Sequence, residues 1–140
     1  DLAVYMQEIG VTARYVGADI TPGILREARR RYPERELVLT DVFAAPSFPE
    51  QGFDVVFCSG VFNLRLGNNE AFVATALPAL FRLAKHCAVA NFLHHRTRRK
   101  YPHCAYFDPD RVARAAPDDV RVLQILDDYL ENDFTVAMWR

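Results

Sequence analysis

The chain has 140 residues, 51% of them hydrophobic, with 17 basic and 18 acidic side chains and a net charge of −1. That size and composition suit one globular domain with a single core, and the balanced charge provides no overall field to steer the protein toward nucleic acid or membrane. No apolar run approaches the roughly 20 residues of a bilayer-spanning helix, and no signal-peptide pattern opens the chain.

Residues 2–9 have helical spacing, with Leu2, Val4, Tyr5 and Ile9 as its apolar positions and Gly10 placed as the C′ glycine that ends it. The chain enters this pattern at Asp1 without a methionine, which predicts that residues precede it in the natural protein. Residues 13–18 (ARYVGA) are a short apolar run ending at Asp19, as in a buried parallel strand. Thr21 and Pro22 suit the N-cap and first position of a helix over 22–32, closed by Pro33. Ile24, Leu25 and Ala28 give that helix one apolar face. Residues 36–40 (ELVLT) predict a second strand running into Asp41, followed by a polar loop over 45–52.

Residues 53–59 (FDVVFCS) predict a third strand, with Gly60 just past its tip. A loop through Asn63, Gly67 and Asn68 leads to a long helix over about 69–86, in which Pro78 predicts a kink or break near Ala76. Residues 87–93 (CAVANFL) are a fourth strand, and 94–103 a basic, irregular loop. Asp108 and Pro109 start a short helix that ends before Pro117, and 120–126 with 134–139 alternate as an antiparallel hairpin. Strands alternating with helices imply a parallel sheet covered on both faces. The expected fold is therefore α/β: a Rossmann-like, doubly wound, mostly parallel sheet with a C-terminal antiparallel hairpin, three-layer α/β/α, as a single domain over 1–140. The three cysteines are widely spaced with no C-x-x-C pair, which supports neither a disulfide framework nor a metal site and points to a reducing cytoplasmic setting.

Three successive strand tips carry Asp19, Asp41 and the turn Cys58-Ser59-Gly60. In open α/β sheets ligands bind outside the carboxyl ends of the strands, where a carboxylate can accept hydrogen bonds from a ribose diol. Asp19 suits that role, and Asp41 could accept from an exocyclic amine such as that of adenine. Ile20 and Val42 could sandwich the base, and Gly60 lets backbone approach a ligand closely. The alternative is that each acid is only an N-cap or turn residue.

VGADITPGILREAR, LTDVF and FDVVFCSGVFN resemble, in order and spacing, the successive motifs of class I S-adenosylmethionine-dependent methyltransferases. The closing DYLENDFTVAMW is similar to that family's sixth and seventh strands, so the resemblance covers nearly the whole chain; SGVFNL is most similar to a small, poorly characterised group within it. The resemblance implies S-adenosylmethionine as cofactor, with Asp19 on the ribose hydroxyls, Ile20 against adenine and Asp41 at its amino group. It places the amide of Val42 or Phe43 at a ring nitrogen, and Ser59 and Gly60 near the methionine portion and the methyl. The family's first strand and G-x-G-x-G loop are not among these residues. The resemblance puts them before residue 1, the strand lying mid-sheet between the first and third strands here. Their loss would leave buried backbone groups unpaired at about 1–3 kcal/mol each. Weak cofactor binding is then expected unless another subunit, in a homo-oligomer, fills the gap.

Asn63, His94 and His95 are the candidate substrate residues. HHRTRRKYPH, residues 94–103, is a lid, a cradle for an acidic substrate, or simply a solvated loop. Tyr101, Tyr106 and Phe107 could wall a pocket or pack beneath that loop, and Tyr129 reads as structural. His94 or His95 could act as a general base. Methyl transfer needs little acid–base equipment, because the sulfonium is already activated and the protein supplies positioning. The expected activity is methyl transfer to a small molecule, with no nucleic-acid or membrane partner. A nicotinamide-dependent oxidoreductase is the alternative enzyme, disfavoured by Asp41 and the closing hairpin. A non-catalytic binding protein of the same fold is the third reading.

Overall fold

In the computed structural model, which describes residues 2–44 and 48–140, α1 (Leu2–Glu8) ends in a Schellman motif. The amide of Val11 donates to Met6 O at 2.8 Å and that of Gly10 to Gln7 O at 3.1 Å, with Gly10 at φ +74°. The chain divides into two units, Asp1–Ser47 and Phe48–Arg140.

In the first unit, β1 (Val16–Asp19) and β2 (Glu36–Leu39) pair in parallel, Asp19 opposite Leu39, and α2 (Pro22–Arg31) connects them. β1 starts three residues later than the apolar run suggested. Arg14 instead leaves the strand to form an ion pair with Glu36 at 2.7 Å. A Cβ at Gly17 would lie 2.7 Å from Leu37 Cδ2, so a larger residue there would require the Leu37 side chain to shift. Arg29 of α2 donates to Leu37 O at 2.9 Å, tying helix to strand, and Leu25 is the helix's buried residue. The loop expected over 45–52 lies partly outside the described residues.

In the second unit, β3 (Phe53–Cys58), β4 (Ala84–Leu93), β5 (Val122–Leu126) and β6 (Asp133–Trp139) form one sheet in the order β3-β4-β6-β5. β3 and β4 are parallel, and β6 runs antiparallel to both β4 and β5. The fold is thus α/β and Rossmann-like with mixed pairing and the expected hairpin at its end, its strands hydrogen-bonded as two sheets.

The long helix, α3 (Asn69–Leu83), starts on Asn68, whose side chain accepts from the Ala71 amide at 3.0 Å. It runs through Pro78 as one element rather than breaking near Ala76, held down by buried Val73, Ala76, Leu77, Leu80 and Phe81. It ends three residues earlier than expected, and β4 begins at once. The Arg140 guanidinium explains this: it donates to Phe81 O at 3.0 Å and Ala84 O at 2.8 Å and lies 4.3 Å from the Phe81 ring centroid. A cation thus sits at the negative end of the helix, where Phe81 O also accepts from the Ala84 amide. Phe62, Phe92 and Phe134 stack through the core, with centroids 4.5 and 5.3 Å apart, and Phe107 meets Phe92 edge-on. The short α4 (Pro109–Ala113) completes the unit, with Asp108 accepting from the amides of Asp110 and Arg111.

Candidate functional site

The parallel register of β1 and β2 puts Asp19 and Asp41 at the same edge of their two-stranded sheet, with the Thr40 amide donating to Asp19 O at 3.1 Å. Asp19 Oδ1 accepts from the Thr21 amide at 2.7 Å, and Asp41 Oδ1 accepts from the Phe43 amide at 2.9 Å. Thr21 occupies the N-cap position of α2, but its own side chain makes no capping bond; Asp19 satisfies the backbone there instead. The turn reading of both acids is therefore real, and it fixes the orientation of each carboxylate. Asp19 Oδ2 accepts nothing among the described residues. Ile20, beside it, is 66% exposed, while Val42 and Phe43 are half-buried. Because the Phe43 amide is engaged by Asp41, the Val42 amide is the donor this turn leaves for a ligand.

In the second unit, Ser59, Gly60, Asn63, His94 and His95 all follow the carboxyl ends of the parallel pair β3 and β4. Gly60 has φ +79° and leads into a turn of 3-10 helix, Val61–Asn63. A Cβ on Gly60 would meet nothing within 4 Å, so the backbone conformation alone selects glycine. Burial pushes the Cys58 thiol up to about 12, which removes it as a nucleophile at neutral pH. Asn63 Oδ1 is buried with no hydrogen-bond partner among the described residues, an arrangement that calls for an explanation.

The two adjacent histidines differ sharply. His94 is 4% exposed; its Nδ1 accepts from the Arg96 amide at 3.2 Å and its ring packs edge-on against Phe134. Burial first, then the charges of Arg96 and His95, lower its pKa from the ordinary value, against an opposing pull from Asp127. His95 is exposed, with Nδ1 3.6 Å from Asp108 Oδ2. Asp108 is held below the usual carboxylate range by the Arg111 and Asp110 amides, with smaller help from the charges of His95 and Arg111.

The basic loop is anchored rather than free. Arg96 donates to the carbonyls of Asp127, Glu131 and Leu130, and Arg98 pairs with Glu131 at 2.9 Å. Tyr129 is structural, its hydroxyl bonded to Asn91 and Thr135. Among the described residues no group of three His, Cys, Asp or Glu side chains gathers to hold a metal, and no helix is long and apolar enough to cross a membrane.

A cleft of about 770 Å³ opens on the second unit, with charged walls of Arg65, Glu70, His95, Asp108, Arg111 and Arg114. Tyr106 and Phe107 also line it, whereas Tyr101 does not; the Tyr101 amide donates to the Tyr106 hydroxyl at 2.8 Å. Sequence reasoning found His95 but missed the three arginines and Glu70. They come from the chain before α3, the first turn of α3, and α4, and no spacing along the sequence announces that these segments converge.

A family model described as a methyltransferase domain matches residues 2–86, more than half of the chain. The chain belongs to the class I S-adenosylmethionine-dependent methyltransferase family. Solved structures share the methyltransferase fold at low identity. The PH0226 protein from Pyrococcus horikoshii OT3 aligns over 99% of this chain and 76% of its own, with TM-score 0.76 and 13% identity. Magnesium protoporphyrin IX methyltransferase from Synechocystis PCC 6803, solved with bound SAH, aligns over 99% and 68% with TM-score 0.71 and 13% identity. A SAM-dependent methyltransferase from Archaeoglobus fulgidus aligns over 99% and 80% with TM-score 0.70 and 11% identity. Comparison with curated proteins gives no match. The methyltransferase match takes in Asp19, Asp41, Ser59, Gly60 and Asn63 and stops at His86, ahead of the histidine pair and α4.

Proposed function

We propose that the protein binds S-adenosylmethionine with its adenosine on the tips of β1 and β2 and transfers the methyl group to a small-molecule acceptor in the cytoplasm. The observation that carries this is the pair of carboxylates, Asp19 and Asp41, each held by the amide two residues on, at the tips of adjacent parallel strands. The donor set suits the cofactor. An acceptor-only carboxylate at Asp19 complements a ribose diol, exposed Ile20 offers an apolar face to adenine, and Asp41 with the Val42 amide complements an amino group beside a ring nitrogen. For the second unit the proposal rests on resemblance alone, by which Ser59 and Gly60 would meet the methionine portion, with Asn63 beyond them. Free thiols at Cys58, Cys87 and Cys104 suit a reducing compartment.

Bound there, S-adenosylmethionine supplies a methyl group on a positively charged sulfur, so the protein needs to position rather than activate it. His95, facing Asp108, is the chain's group for taking up a proton released by the acceptor. His94, with Nδ1 held by the Arg96 amide, keeps the start of that loop in place. Thermal shift tests the reading: S-adenosylhomocysteine should raise the melting temperature in proportion to the logarithm of its concentration, and NADH should not. Stabilisation by NADH instead would favour a nicotinamide enzyme.

A further inference from the structure

We propose that the 770 Å³ cleft of the second unit is the acceptor site and that it selects a small molecule bearing a carboxylate or phosphate on an apolar body, an inference that rests on the methyltransferase reading above. The volume lies within the ~300–1,000 Å³ typical of small-ligand sites. Its place is set by the sheet: His95 follows the carboxyl end of β4, and the Arg65 amide donates to His103 O at 2.9 Å, which holds that arginine against the segment leaving β4.

The charges of the cleft are unevenly satisfied. Glu70 pairs with Arg111 at 2.9 Å, and Asp108 faces His95 while accepting from two backbone amides. Both carboxylates therefore have partners within the cleft. The guanidinium groups of Arg65 and Arg114 have neither a carboxylate nor a hydrogen-bond partner among the described residues. Two unpaired planar forks match the oxygen geometry of a carboxylate or phosphate, which each can bind through parallel N–H···O bonds. Beneath them, Val73, Phe107 and Val112 are 3%, 8% and 3% exposed and give the cleft an apolar floor. A purely polar ion would leave that floor wet, and a neutral apolar molecule would leave both forks unanswered.

The test uses the full chain and three probes: benzoate, phenyl phosphate and neutral benzyl alcohol, followed through the ring signals of His95 by NMR. One or both anions should shift those signals saturably, benzyl alcohol should not, and R65Q/R114Q should weaken anion binding at least tenfold. The tighter of the two anions identifies the head group. Both arginines are exposed, and a thermal melt checks that the variant is folded; should it not be, the single variants R65Q and R114Q should each lose threefold or more. Binding unchanged in these variants, no saturable shift with either anion, or equal binding of benzyl alcohol overturns the proposal. Calorimetry with S-adenosylhomocysteine runs alongside. Arginine-dependent anion binding without it would sink the methyltransferase reading and keep the anion site, and the converse would sink the anion site alone.

Discussion

Asp19 and Asp41 make the same bond: in each, Oδ1 accepts the amide hydrogen of the residue two places on, at 2.7 and 2.9 Å, on neighbouring parallel strand tips. Asparagine keeps that Oδ1 acceptor and removes only the charge. Asp41→Asn should therefore leave the unfolding free energy within about 0.5 kcal/mol of wild type. It should weaken S-adenosylhomocysteine roughly fivefold to tenfold, because charge-assisted hydrogen bonds are about twice as strong as neutral ones. Urea unfolding and calorimetry read the two effects separately; a large stability loss with unchanged affinity would make Asp41 a turn residue only.

Gly60 stands at φ +79° with open space where a side chain would go. Gly60→Ala should lose about 1–2 kcal/mol from the left-handed backbone alone, measured by urea unfolding. A loss well beyond that would mean the substitution disturbs packing that the open space does not indicate.

Arg140 closes the end of α3 on two carbonyls and the Phe81 ring. Arg140→Ala should destabilise by about 2–3 kcal/mol, since hydrogen bonds to charged groups are worth ~1.5–3 kcal/mol and a cation–π contact adds to them. Arg140→Lys should recover little, because a point charge cannot serve two carbonyls and stack on the ring at once. Denaturant midpoints at unchanged slope are the readout.

His94 titrates below its ordinary value because burial and the neighbouring Arg96 and His95 disfavour its charged form, Asp127 opposing them. Its unfolded counterpart, with a pKa of ~6.5, binds the proton first on acidification. The stability it contributes is therefore complete above that value and is lost as pH falls through the lower folded pKa. Urea midpoints should drop as pH is taken from about 7 to 5, and His94→Gln should flatten that slope.

Much of this was legible in the sequence because local chemistry and tertiary demand agree. Gly10 ends its helix as spacing implied, and the two acids mark strand tips that the register then aligns. Pro78 does not break its helix, because a run of buried side chains around it outweighs one missing amide. The end of α3 was also hidden, since it depends on Arg140, 56 residues beyond Ala84. The cleft was least legible: Arg65, Glu70 and Arg114 are ordinary surface residues until β4 and α4 bring their segments together.

The most direct measurement is a calorimetric double-mutant cycle crossing Asp19→Asn with the 2′-deoxy analogue of S-adenosylhomocysteine. If Asp19 accepts from the ribose hydroxyls, the two changes are non-additive, with a coupling of about 1–2 kcal/mol. Strictly additive losses, or no loss in Asp19→Asn, would place the ribose elsewhere and contradict the assignment of adenosine to the β1 and β2 tips.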